Sequence, residues 1–383
     1  MKKIREYSIP LIAGVIVAII FANVAPDLYD KIINTPIVGH KVSLQWFVKD
    51  IFMVFFFGIA GVEIVNALSK GGPLNPLKKA ATPLLATAGG VLGPIACFFV
   101  LNSIIGSPDF ANGWGITTAT DIALAWLVAK IVFGKNHPAV SFLLLLAVVD
   151  DAIGLAIIAI FYPDPHHPTQ LQYLGLVVAG MVVAYLFRKF KINSVIVYVL
   201  VAGGLAWAGM YNAGLHPSLA LIFIVPFMPK AGAVDEHADA HGVSDAHGES
   251  TLHRFEEKVS PVVDYGLFFF GFSNAGVEFS QLSNLTWIVL IALIVGKTLG
   301  ISIFSLISTK VLRFPLPDGM KAKDVVAAGV VAGMGLTVAL FVCSAAFVDV
   351  NLQGAAKMGA LFTVLAAPIA IVVSKLLRIE KRN

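Results

Sequence analysis

Four ionisable residues stand inside runs of apolar sequence. Asp150 and Asp151 are adjacent in "LLLLAVVDDAIGLAIIAIF" (143–161), and from Ala139 to Phe161 the only other polar side chain is Ser141. Asp121 follows a Gly- and Thr-rich stretch in "GWGITTATDIALAW" (113–126), and Lys297 interrupts "ALIVGKTLGISIF" (292–304). If these runs cross a bilayer, all four lie near its midplane. A carboxylate there costs about 2.5–3.5 kcal/mol on insertion scales, so such residues pair with each other or line a wet cavity. Carboxylates and backbone carbonyls are hard oxygen ligands, suited to alkali cations. Fully ionised, the group carries two negative charges in excess, which one cation or two protons would balance. Carboxylates that hold protons or a metal ion, but not both, exchange one for the other. Neighbouring residues on a helix point about 100° apart. One of Asp150 and Asp151 should therefore face Lys297, and the other the cavity beside Asp121.

The elements that must hold these groups are membrane helices. The chain has 383 residues, 58% hydrophobic and only 13% charged, with a mean hydropathy of +0.86. A soluble domain is nearer 25% charged. Runs of about 20 apolar residues recur, and the short alternating segments of a β-barrel do not. The fold class expected is an all-α polytopic membrane protein of 12 transmembrane helices. They fall near 8–25, 45–67, 82–105, 115–133, 139–162, 172–189, 193–210, 215–228, 259–279, 286–309, 324–346 and 355–377. No small-residue cleavage site follows residues 8–25, so that run reads as the first helix rather than a signal peptide. Of 27 Lys and Arg, only Lys31, Lys41, Lys49 and Lys357 fall on one side, Lys297 lies within a span, and the rest mark the other side. Both termini are therefore expected in the cytoplasm.

Two spans look broken. One is broken around Thr117, Thr118 and Thr120. The other, "AAGVVAGMGLTVALF" (327–341), is broken around Gly333 and Gly335, just before Thr337. Unwound backbone at that depth is tolerated only where it is buried or lines a cavity. The breaks occupy the middle span of spans 3–5 and of spans 10–12. Three spans carry each unit to the opposite face, so the two units are inverted-topology repeats, the pattern that marks a transporter's binding site.

Other features are less specific. Cys97 and Cys343 lie in apolar runs and read as small hydrophobes. "TPIVGHKVSL" (35–44) reads equally as a short external hairpin or an irregular loop. The segment 229–258 holds His237, His241, His247 and His253 among acids. It reads as a solvated loop, with Zn²⁺ or Ni²⁺ binding as the alternative. Asp50 and Glu278 fall near external span ends, and Asp264 about one turn into span 9. No nucleotide loop and no nucleic-acid motif appears. No cofactor is expected, and an ion gradient should supply the driving force. An intramembrane aspartyl protease would need Gly-x-Gly before one Asp and would not use Lys297. A passive channel would trap ions in such a cluster. A Na⁺-coupled symporter of an organic anion is the nearest rival.

At these residues the chain resembles the NhaA family of bacterial Na⁺/H⁺ antiporters. "ATDIA" (119–123), "AVVDDAIG" (147–154) and "GKTLGIS" (296–302) match its signature regions in order. "FFFGIAGVEI" (55–64), "GLHPSLA" (214–220), "FSNAGV" (272–277) and "GMGLTVALF" (333–341) match as well. The resemblance runs from about residue 8 to 377. It implies electrogenic export of Na⁺ and Li⁺ against protons across a bacterial inner membrane. Asp121 and Asp151 would coordinate the ion, Asp150 would pair with Lys297 and join the proton exchange, and Thr120 would line the break. Whether Lys297 itself carries a proton stays open. Residues 82–162 and 286–383 would form a moving core. Residues 1–81 and 163–285 would form an interface domain, with homodimers joined through the hairpin. Glu63, Glu256 and His216 occupy positions tied to pH response. Ala67, Glu257 and Ser260 depart from the family pattern nearby.

Overall fold

The computed structural model describes residues 8–36, 42–69, 71–75, 80–163, 169–230 and 250–382. Among them the regular structure is helical. The helices are α1 (Ile9–Val24), α2 (Pro26–Asn34), α3 (Leu44–Leu68), α4 (Ala81–Ile105), α5 (Ile122–Phe133), α6 (Pro138–Phe161) and α7 (Leu171–Lys189). They continue as α8 (Val195–Asn212), α9 (Pro217–Phe227), α10 (Thr251–Asn274), α11 (Asn284–Val311), α12 (Ala322–Ala332), α13 (Thr337–Ala346) and α14 (Val350–Leu376). A 3-10 segment, Pro108–Thr118, precedes α5.

Seven of the described helices are long and apolar enough to cross a membrane. Two bent pairs bring the number to nine: Pro108–Thr118 with α5, turned by 60°, and α12 with α13, turned by 53°. Both breaks fall where the Gly- and Thr-rich runs predict them. Large apolar side chains such as Ile20, Ile160, Val182, Leu200 and Leu376 stand exposed, as lipid-facing helices require. This is a multi-pass membrane protein. Three expected spans are helical but shorter or more charged: α1, α9, and α10, which carries Glu256, Glu257, Lys258 and Asp264. Helix α10 begins at Thr251 rather than 259, so His253 and Glu256 lie on it. Its polar first turns hide that start from a hydropathy reading. Of the expected hairpin, residues 37–41 lie outside the described residues, as do His237, His241 and His247 of the histidine segment. His253 pairs with Glu257 one turn on, at 3.4 Å on an exposed face.

The chain divides into two compact units. One comprises Met1–Gln45, Asn66–Tyr162 and Leu267–Asn383; the other comprises Trp46–Val65 and Pro163–Gly266. The boundary runs through α3 and α10 rather than between helices.

In the first unit, α4 and α11 approach closely through two glycine pairs. A Cβ on Gly89 would stand 2.2 Å from the Gly300 carbonyl oxygen, and one on Gly93 would stand 2.5 Å from that of Gly296. Each helix carries Gly-x-x-x-Gly, and the missing side chains let the backbones touch. Lys297 sits between the two glycines of α11, just after a π-turn at Ala292–Gly296 that re-aims the helix. In the second unit, α3 packs through Gly58 on Leu221 and Phe255, and Trp207 Nε1 donates to the Asp50 carbonyl at 2.9 Å.

Candidate cation and proton site

The two broken segments meet backbone to backbone. The Asp121 amide donates to the Met334 carbonyl at 2.7 Å. A Cβ on Gly335 would stand 2.7 Å from the Ala119 carbonyl oxygen, so only glycine permits this approach. The Gly335 amide donates to Thr363 Oγ1 of α14 at 3.2 Å.

The crossing separates helix starts from helix ends. Asp121 is the N-cap of α5, and its Oδ1 accepts the Leu124 amide at 3.0 Å. Its Oδ2 accepts the Thr337 amide, at the start of α13, at 3.3 Å. One carboxylate therefore serves two helix N-termini, each equivalent to roughly half a positive charge. It keeps lone pairs beyond those two bonds. Helix α13 has no side-chain cap of its own, because its N-cap position is Leu336.

Lys297 takes the opposite pole. Its Nζ donates to the carbonyls of Thr118 and Ala119, both at 2.8 Å, where the 3-10 segment ends. It also bonds Thr120 Oγ1 and Asp150 Oδ2, each at 2.5 Å. Thr120 Oγ1 lies 2.5 Å from Asp150 Oδ2 and 3.2 Å from the carbonyl of Ala332, the last residue of α12. Three ammonium protons thus face four acceptors, and the threonine hydroxyl relays between carboxylate and helix end. Lys297, Asp150, Thr120 and Asp121 are each at most 2% exposed. Asp150 Oδ1 is buried with no hydrogen-bond partner. Asp151, one residue on, stays partly exposed. The two neighbouring acids thus occupy different surroundings: Asp150 bonds the ammonium directly, while Asp151 is half-buried and acts on Lys297 only through its charge.

Thr117 and Thr118 are buried and turn their hydroxyls back to the carbonyls of Trp114 and Gly115, at 2.7 and 2.8 Å. They steady the break rather than line it with free hydroxyls. Glu63 is half-buried on α3, with the carboxylate of Glu256 within electrostatic reach. His216 is buried just before α9. Among the described residues no cluster of three or more His, Cys, Asp or Glu fits a resident metal ion.

Three supports were missed in the sequence. Thr363 holds the second break. The glycine pairs of α4 and α11 bring Lys297 in, and "GGVLG" and "GKTLG" carry that signal openly. Tyr162 Oη donates to the Asn112 carbonyl at 2.6 Å and accepts the Gly115 amide at 2.9 Å, bracing the 3-10 segment; its lone position gives no pattern to read.

The family model described as Na⁺/H⁺ antiporter 1 matches residues 1–374. A Na⁺/H⁺ antiporter NhaA of Desulfitobacterium hafniense is 56% identical over 99% of this chain and 96% of its own length. One of Geobacter sulfurreducens is 54% identical over 99% of this chain and 98% of its own. The solved structure of a sodium proton antiporter from Methanocaldococcus jannaschii shares the fold, with a TM-score of 0.58 at 15% identity, covering 98% of this chain and 92% of that one. The chain belongs to the NhaA family of Na⁺/H⁺ antiporters.

Proposed function

We propose that this protein is an electrogenic secondary antiporter. It exports Na⁺ and Li⁺ from the cytoplasm in exchange for external protons, is regulated by pH, and works without a cofactor and not as an enzyme. The observation that carries the proposal is the buried contact of Lys297 with Asp150, Thr120 and the carbonyls of Thr118 and Ala119. A charged cluster this far from water stays charge-balanced, so a cation entering must displace protons. Asp121 and Asp151 are the ion ligands in this reading, and Asp150 with Lys297 answers by proton exchange. Two protons for each Na⁺ would move net charge, so membrane potential would drive export.

The proposal includes twelve spans, with the nine supplemented by α1, α9 and α10. Spans 3–5 and 10–12 are inverted repeats within a moving core (82–162, 286–383). The interface domain takes 1–81 and 163–285. Both termini are cytoplasmic, the membrane is the bacterial inner membrane, and the protein works as a homodimer. Glu63, Glu256 and His216 set the pH response.

The test is dissipation of ΔpH in everted vesicles from a host without its own antiporters, on adding NaCl, LiCl or KCl across a pH series. Na⁺ and Li⁺ should dissipate the gradient, and Asp151→Asn should abolish the response. Normal transport by that variant removes Asp151 as a ligand. No dissipation at any pH, with protein present in the membrane, leaves the Na⁺-coupled symporter reading.

A further inference from the structure

His137 lies just before α6 and is buried. Its Nδ1 accepts the Ala139 amide at 3.1 Å and caps that helix. Its ring stacks on Phe133 at the end of α5, with centroids 5.2 Å apart. Nε2 lies 3.9 Å from Asp324 Oδ2, beyond hydrogen-bond reach. Asp324 is buried too, and its Oδ2 accepts the Lys321 amide at 2.7 Å at the start of α12.

A strap after α14 closes over this pair. The Arg382 amide donates to the Phe133 carbonyl at 2.9 Å, and the Asn136 amide donates to the Arg382 carbonyl at 3.0 Å. The Arg382 guanidinium donates to the Gly319 carbonyl at 3.2 Å. Gly134 and Gly319 have φ of +86° and +81°. A Cβ on either would stand 2.4 or 2.6 Å from Arg382, so both turns are shaped around one residue. The charged groups around His137 are Asp324, Lys321 and Lys323 from the start of α12, and Glu380 and Arg382 from the strap.

Each helix of the pair leads to the ion site. Helix α6 runs from His137 to Asp150 and Asp151. Helix α12 runs from Asp324 to Ala332, whose carbonyl accepts from Thr120. We propose that His137 and Asp324 form a proton-operated latch between the starts of α6 and α12, which sets how the two helices present their far ends to the site. A neutral imidazole that accepts at Nδ1 carries its proton on Nε2. A second proton enters at Nδ1 and turns the acceptor into a donor. The Ala139 amide then loses its partner, α6 loses its cap, and the imidazolium is drawn toward Asp324. Burial pushes His137 below the ordinary imidazole range; Asp324 opposes this, Arg382 adds to it and Glu380 opposes it. The neutral, capped state therefore holds through the ordinary imidazole range and is lost only as the pH falls below it.

Two readouts test the latch on the full-length protein. The first is hydrogen exchange in the first turn of α6, corrected for intrinsic rates. Protection in the native chain should fall about tenfold as the pH drops from about 6.5 to about 4.5, and stay constant in His137→Asn, whose side-chain carbonyl keeps an acceptor without a titrating proton. The second is Na⁺-driven ΔpH dissipation, which rests on the antiport reading. Its acid limb should move about one pH unit lower in His137→Asn, while His137→Ala lowers thermal stability most at neutral pH, where the native cap is intact. PH-independent protection in the native chain, or a His137→Asn profile that coincides with it, overturns the latch. Exchange that responds to pH in a protein without Na⁺-driven dissipation leaves the latch standing and sinks the antiport reading instead.

Discussion

The two broken segments solve the same backbone problem with different residues. In the first, Pro108–Thr118 with α5, side chains carry the chemistry. Asp121 caps its own helix, Thr120 bonds Asp150, and the carbonyls of Thr118 and Ala119 receive Lys297. In the second, α12 with α13, the break is Gly333–Leu336 and contributes mainly backbone: the carbonyls of Ala332 and Met334 and the amides of Gly335 and Thr337. The glycine-built break borrows what it lacks. Its helix start is capped by Asp121 and its helix end is met by Thr120, both from the other segment. One arm therefore supplies the polar side chains and the other is the backbone cradle that fits against it. A side chain at Gly335 would close the gap through which the first arm's backbone passes.

This asymmetry can be broken from either side. The largest effect is expected from Lys297→Ala, which leaves Asp150 buried without its ammonium. Removing one partner of a buried pair costs about 3–5 kcal/mol, read as a drop in thermal unfolding temperature in detergent. The double variant Lys297→Ala with Asp150→Ala should recover much of that loss while staying inactive in transport. If the double variant is no more stable than the single one, the pair does not act as a unit.

Asp121→Ala should come next. It strips the cap from α5 and α13 together, at about 2–3 kcal/mol from two charge-assisted bonds. Loss of exchange protection should appear at the starts of both helices. Protection lost at α5 alone would show that the second arm does not depend on the first.

The smallest effect is expected from Thr363→Ala. It removes the acceptor of one buried amide in the cradle, at about 1 kcal/mol. Transport should slow without a change in apparent Na⁺ affinity, because no ligand moves. A large change in affinity would mean the cradle takes part in ion binding directly.

Much of this arrangement could be read from residue order. Gly, Thr and Asp inside apolar runs mark both breaks, because those residues either tolerate unwound backbone or cap a new helix. The membrane setting followed from composition, since apolar runs of span length have no other stable use. What could not be read was the count of spans by a uniform rule. Helices α1 and α9 are apolar but short, at 16 residues for α1, and α10 begins with charge, so length fails at the first two and hydropathy at the third. The way Thr117 and Thr118 serve the break was also not legible: they bond their own segment's carbonyls, an outcome set by local backbone path rather than by polarity.

The chain's order of residues thus determined that acids and a lysine lie at one depth, that two helices break there, and that helix starts and ends must be offset by charge. Those are consequences of local chemistry and of a solvent that leaves no backbone group unsatisfied. Tertiary structure decided the pairings. Asp150 rather than Asp151 meets Lys297 because α6 turns that one face toward α11, which the glycine contact holds against α4. Asp121 serves two helices because the segments cross within a backbone's width of each other. Partners hundreds of residues apart meet only when packing fixes the helices' rotation and separation, and apart from the Gly-x-x-x-Gly pairs of α4 and α11 no spacing along the chain encodes either.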